Sequence, residues 1–155
     1  MNCRKSLLLF AFTSTVISCA KKKEDPAPAP PTRTQLLTAK KWQIRSATIE
    51  ATGQPTVDLY PLIAPCTRDD FEQFTLPNTF VADEGPTKCS LSDPQTQLGI
   101  WALTANDTQL TITATGTSTT STIEELTDTS LKLTTLQPQG NGTNATVRTA
   151  FVSVK

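Results

Sequence analysis

The chain has 155 residues, of which 37% are hydrophobic and 18% charged, with 14 Lys+Arg against 14 Asp+Glu. That length suits one folded domain with a modest core. From Thr34 onward 8 basic residues face 12 acidic ones, a net of −4, so the domain has no basic stripe for nucleic acid; with no histidine, Ser-His-Asp and Cys-His catalysis are excluded.

Arg4 and Lys5 precede an apolar run, Leu7-Leu8-Leu9-Phe10-Ala11-Phe12 through Ile17, which is short for a bilayer span and reads as a removable export signal. The run closes on Val16-Ile17-Ser18-Cys19, which resembles the lipobox of bacterial lipoproteins. The resemblance implies a signal peptide over 1–18, cleavage before Cys19, and acyl chains on the Cys19 thiol and amine that hold the mature protein in a lipid bilayer. Two or more chains anchor stably where one does not.

Residues 19–33 read as a tether. Lys21-Lys22-Lys23 is a solvated stretch attracted to anionic headgroups, and Pro26-Ala27-Pro28-Ala29-Pro30-Pro31 favours an extended polyproline spacer. Lys23-Glu24-Asp25 resembles the Lys-acid-acid signal that sends some Bacteroidota lipoproteins to the outer leaflet of the outer membrane. The expected location is the bacterial cell envelope, as an outer-membrane lipoprotein, surface-exposed if that signal is read.

The remaining span, 34–155, is rich in Thr, Val, Ile and Leu, with turn residues recurring about every ten positions, an all-β rhythm. Thr34 is expected to cap a short helical turn through Leu36-Leu37-Thr38-Ala39-Lys40, followed by a strand over Trp42–Ile49. Phe71–Leu76 and Thr79–Ala82 pair through Pro77-Asn78, with Asp83-Glu84-Gly85-Pro86 as the next turn. Leu98–Thr104 and Thr108–Ala114 make the clearest hairpin, joined at Ala105-Asn106-Asp107; Leu110 and Ile112 point one way, Thr111 and Thr113 the other. Thr120–Leu126, Ser130–Leu136 and Ala145–Val154 complete eight strands, with Leu131 and Leu133 sharing one face. Strands that each pair with a sequence neighbour, without crossover helices, predict an antiparallel up-and-down barrel of about eight strands, although a two-sheet sandwich fits the same periodicity.

Four cysteines are present. Cys3 leaves with the signal and Cys19 carries lipid, so Cys66 and Cys89 remain as a pair in an exported domain and read as a disulfide. The rival reading, zinc, needs two further Cys or His ligands that the chain lacks. Carboxylates are the remaining source of catalysis: Asp69-Asp70, Asp83-Glu84 and Glu124-Glu125. Adjacent strand residues point to opposite faces and turn pairs are mostly solvated, so none is a ready acid/base pair, and calcium would want spaced ligands that are missing here. No metal, cofactor or catalytic residue is therefore expected. The Asn-x-Thr triplets at Asn106, Asn141 and Asn144 read as turn chemistry.

Several segments together resemble the lipocalin-like lipoproteins of Bacteroidota: Leu36-Leu37-Thr38-Ala39-Lys40-Lys41-Trp42, Cys66 with Asp69-Asp70 and Phe74, Cys89, Gly99-Ile100-Trp101 with Leu110 and Ile112, and the hairpin from Glu125-Leu126-Thr127 to Leu131-Lys132-Leu133. The likeness spans nearly all of Thr34–Lys155. It departs from the larger lipocalins in having Lys40-Lys41-Trp42 where they have Gly-x-Trp, and in its shorter domain. The resemblance implies an eight-stranded barrel, wide enough either to fill with its own side chains or to hold one small ligand. Trp42 and Trp101 are expected in the core rather than at a ligand. The leading functional expectation is a non-enzymatic, membrane-anchored binding module for a small apolar ligand, which would be lined by the inward faces of Leu98–Thr104, Thr108–Ala114 and Ser130–Leu136. The alternatives are an accessory envelope lipoprotein whose filled barrel binds a protein partner, and a hydrolase with two converging carboxylates. No residue of the chain names the ligand.

Overall fold

The computed structural model describes residues 28–140 and 142–155; the expected signal peptide, Cys19, the tether as far as Ala27, and Asn141 lie outside them. A single six-residue helix, α1 (Arg33–Thr38), begins the domain. Its cap is Thr32, not Thr34: the Thr32 hydroxyl accepts from the Gln35 amide at 3.2 Å while the Gln35 side chain accepts from the Thr32 amide at 2.8 Å. The reason is reciprocity, since a capping box needs a polar acceptor three residues on, and Thr34 would find apolar Leu37 there.

Nine strands follow: β1 (Lys41–Ala51), β2 (Val57–Asp58), β3 (Phe71–Thr75), β4 (Thr79–Asp83), β5 (Thr96–Thr104), β6 (Gln109–Ala114), β7 (Thr117–Leu126), β8 (Ser130–Pro138) and β9 (Asn144–Val154). Every pairing is antiparallel, and β9 returns to lie along β1 from Lys41↔Val154 to Ala51↔Ala145. That contact closes β1 and β3–β9 into an eight-stranded up-and-down barrel, as expected, and full closure leaves the barrel strands no long free edge. The short β2 is an addition, pairing with β1 at Ile49↔Val57 and Thr48↔Asp58. Sequence patterning misses it because two residues carry no period.

The two ends of the barrel differ. At one end sit α1 and the turns 76–78, 105–108 and 127–129; at the other lie the long β1–β3 and β4–β5 connections and the 115–116 and 139–143 turns. The first end is packed solid. Leu37, Trp42, Phe74, Leu110 and Leu131 are fully buried there, and Trp101 stands edge-on to Phe74 with ring centroids 5.9 Å apart. Both tryptophans are core residues with partnered indoles: Trp42 Nε1 donates to the Leu37 carbonyl at 2.9 Å and Trp101 Nε1 to the Thr75 carbonyl at 3.0 Å. The Trp42 bond ties α1 across the barrel floor. Gly99 lets β5 come close to its neighbours, because a Cβ there would lie 2.5 Å from the Thr113 carbonyl oxygen.

Candidate functional site

Above the packed floor the barrel is hollow. Trp42, Phe80, Ile112, Leu133 and Phe151 form the apolar base and walls of a cavity of about 650 Å³ that opens among the loops of the second end. That volume lies within the range of small-molecule sites, about 300–1,000 Å³. Of the three strands expected to line it, β6 does so with Ile112 and Ala114, while β5 and β8 contribute little. From β5 only Gln97 reaches the cavity, and from β8 only Leu133. The inward side of β5 instead carries Trp101 into the floor, while Leu98 and Ile100 project outward, 68% and 53% exposed. β1, β3, β4, β6, β7 and β9 and the loop residues Thr67, Asp70, Glu84, Pro94, Gln95 and Thr115 supply the rest.

The mouth is held by a covalent clasp. Cys66, in the short 3-10 turn Pro65–Thr67, is bonded to Cys89 of the β4–β5 connection. The bond joins the two longest loops of the open end, and Thr67 lies on the cavity side of it. Beside the clasp, Gly85 has φ +62 and a Cβ there would stand 2.4 Å from the Asp69 carbonyl oxygen, so only glycine lets the two loops touch at this point.

This contact gathers acidic groups that the sequence scatters. Asp70, Glu72, Asp83 and Glu84 all line the cavity, and Asp69 adjoins them. Asp83 is partnered, its Oδ1 accepting from the Gly85 amide at 2.8 Å and from the Gln95 side chain at 2.9 Å. The others are not: Asp69 Oδ1, Asp70 Oδ1, Glu72 Oε2 and Glu84 Oε2 are each closed off from solvent without a hydrogen-bond partner. The expectation that the Asp69-Asp70 and Asp83-Glu84 turns are solvated ends is thus corrected, because loop packing turns them inward. Glu124-Glu125 stays outside the site, Glu125 being paired with Lys132 at 2.8 Å on the surface.

Glu72 was not singled out by sequence, and it is the deepest of the group. It sits on β3 opposite Trp42, at one of only two residue pairs joining β1 to β3, below the point where those strands part. On a strand, residues two apart share a face, so Glu72 points the same way as fully buried Phe74. That parity with Phe74 is the signal that could have found it. Burial pushes the Glu72 carboxyl up to about 7. Asp70 rises to about 6, first from burial and then from the neighbouring Asp69, Glu84 and Asp83 charges. Among the described residues no lysine or arginine lines the cavity. The nearby cations are engaged elsewhere: Arg68 donates to the Ile63 and Pro61 carbonyls, and Lys41 lies over the outer Phe71 ring. Among the described residues no three Cys, Asp or Glu side chains form a metal cage.

A closed antiparallel barrel of eight strands, plugged at one end and hollow at the other, defines a protein of lipocalin type. The lipocalin-like domain model matches residues 38–133, and the chain belongs to that family. No curated protein matches it.

Proposed function

We propose that this protein is a lipid-anchored binding protein of the bacterial envelope, which holds a small, largely apolar ligand in its barrel. The observation that carries the reading is the open cavity of about 650 Å³ over an aromatic and aliphatic base. Burial of apolar ligand surface there contributes roughly 25 cal/mol per Å² removed from water, before the cost of association. The family's binding-module character supports the same reading, and an open interior speaks for it over the filled-barrel accessory protein. The anchor is Cys19, acylated after removal of residues 1–18, with the stretch from Cys19 to Pro31, ahead of the α1 cap, as the spacer and Lys23-Glu24-Asp25 directing the protein to the outer leaflet of a Bacteroidota outer membrane.

Two measurements test the two halves of this proposal. The neutral fluorophore N-phenyl-1-naphthylamine should bind the purified domain saturably at micromolar concentration, with one probe per chain by native mass spectrometry; absence of saturable binding overturns the carrier. In the native host, Cys19→Ala should abolish incorporation of labelled palmitate and leave an unprocessed or soluble species. Undiminished labelling places the anchor elsewhere.

A further inference from the structure

A cavity with an apolar base and an acidic rim has a preferred ligand. Glu72, Asp70 and Glu84 all line the cavity, and each carries one side-chain oxygen, Oε2, Oδ1 and Oε2 respectively, that is closed off from solvent and unpartnered. A buried acceptor without a donor costs about 1–3 kcal/mol, more when charged, so a group that supplies the missing donors gains what an apolar ligand alone does not. Among the described residues none supplies it: no lysine or arginine there lines the cavity, and Arg68, the nearest arginine in sequence, is held on backbone carbonyls.

We propose that the cavity selects amphiphiles whose polar end is an ammonium, with the apolar body on the Trp42–Phe151 base and the charged nitrogen donating to Glu72 and then to Asp70 and Glu84 at the mouth. This deepens the carrier reading above and rests on it. An ammonium brings three donors to a cavity lined by the unpartnered carboxylates of Glu72, Asp70 and Glu84, and its positive charge relieves the repulsion that Asp70 feels from Asp69, Glu84 and Asp83. A fatty acid of the same length brings a further like charge and no donor, and is rejected by the same groups that hold the amine.

The test compares three ligands of one chain length, dodecylamine, dodecanol and laurate, below their micellar concentrations at pH 8, by displacement of N-phenyl-1-naphthylamine and by native mass spectrometry. Dodecylamine should bind about tenfold or more tighter than dodecanol, and laurate weaker than either. Glu72→Gln should remove most of the amine's advantage and leave dodecanol within about threefold. Asp128→Asn, an exposed carboxylate in the turn at the plugged end, should leave all three unchanged, which separates site recognition from general attraction to an acidic protein. Equal binding of all three ligands, or an amine preference untouched by Glu72→Gln, overturns the ammonium site while sparing the carrier. If none of the ligands nor the fluorophore binds, the carrier reading itself fails and takes the inference with it.

Discussion

Glu72 and Asp70 hold their protons longer in the folded domain than in the unfolded chain, so the contribution of these two groups to stability is lost as pH rises. The ordinary values are 4.5 and 3.8, and in the fold they rise to about 7 and about 6. Between each pair of values the native state binds more protons than the unfolded state, so stability falls as pH rises through that window and is fully present only below it. Glu125 works in the opposite sense, held low by its hydrogen bond from Lys132, but the pair is exposed and contributes little. The thermal midpoint of the ligand-free domain should therefore drop between pH 5 and pH 8. Glu72→Gln, which mimics the protonated carboxyl, should flatten that drop and leave the variant at least as stable as wild type at pH 8, by up to a few kcal/mol. Scanning calorimetry at the two pH values reads it; an equal drop in wild type and variant would show that Glu72 ionises freely and has no desolvated place in the cavity.

At the scale of elements, the clasp between the two long loops carries a separate prediction. Cys66 and Cys89 are 23 residues apart, and cross-linking a loop of about that length lowers the unfolded chain's entropy by roughly 3 kcal/mol in the chain-entropy picture. Replacing both by serine should lower the thermal midpoint by on the order of 10 °C, and, because the clasp seats the loops that bear Asp70 and Glu84, should weaken ligand binding in the variant that still folds. A midpoint within a few degrees of wild type, measured by circular dichroism, means the loops are set by the Gly85–Asp69 contact alone. The strands themselves were legible wherever one face is apolar. Leu110 and Ile112 turn inward on β6 and Leu131 and Leu133 on β8, as their alternation requires. The alternation ends at Thr115-Gly116, where Ala114↔Thr117 closes a two-residue turn with φ of 51 and 79, and β7 starts at Thr117 rather than Thr120. Thr117-Ser118-Thr119 is polar on both faces because its inward side meets the wet mouth, while its outward side joins hydroxyl pairs such as Thr113–Ser118 at 2.6 Å. A strand without apolar alternation gives sequence patterning nothing to read.

For the molecule as a whole, barrel closure was readable from eight strands in neighbour order, whereas the site was not. Asp69-Asp70 and Asp83-Glu84 stand out in the sequence, but their convergence depends on a loop contact made at a glycine, and Glu72 is a lone acid inside an ordinary strand. The same division, a solid half below and a hollow half above, means that stability and binding reside in different parts of one barrel. Ala114→Trp tests this directly. Ala114 lines the cavity and lies opposite Gly99, which brings no side chain of its own, so an indole there can extend into the hollow without displacing Trp42, Phe74 or Leu110 from the floor. Overpacking typically costs about 1–3 kcal/mol, and the variant should keep a single cooperative unfolding transition within that margin. Binding of N-phenyl-1-naphthylamine should fall at least about tenfold, since the ring occupies the space the probe needs. Were the plugged variant to fold and still bind the probe as wild type does, the ligand would have to sit outside the barrel, where Leu98 and Ile100 on the outer face of β5 offer exposed apolar surface. Loss of probe binding with retained folding would assign the hollow half to the ligand and the packed half to stability.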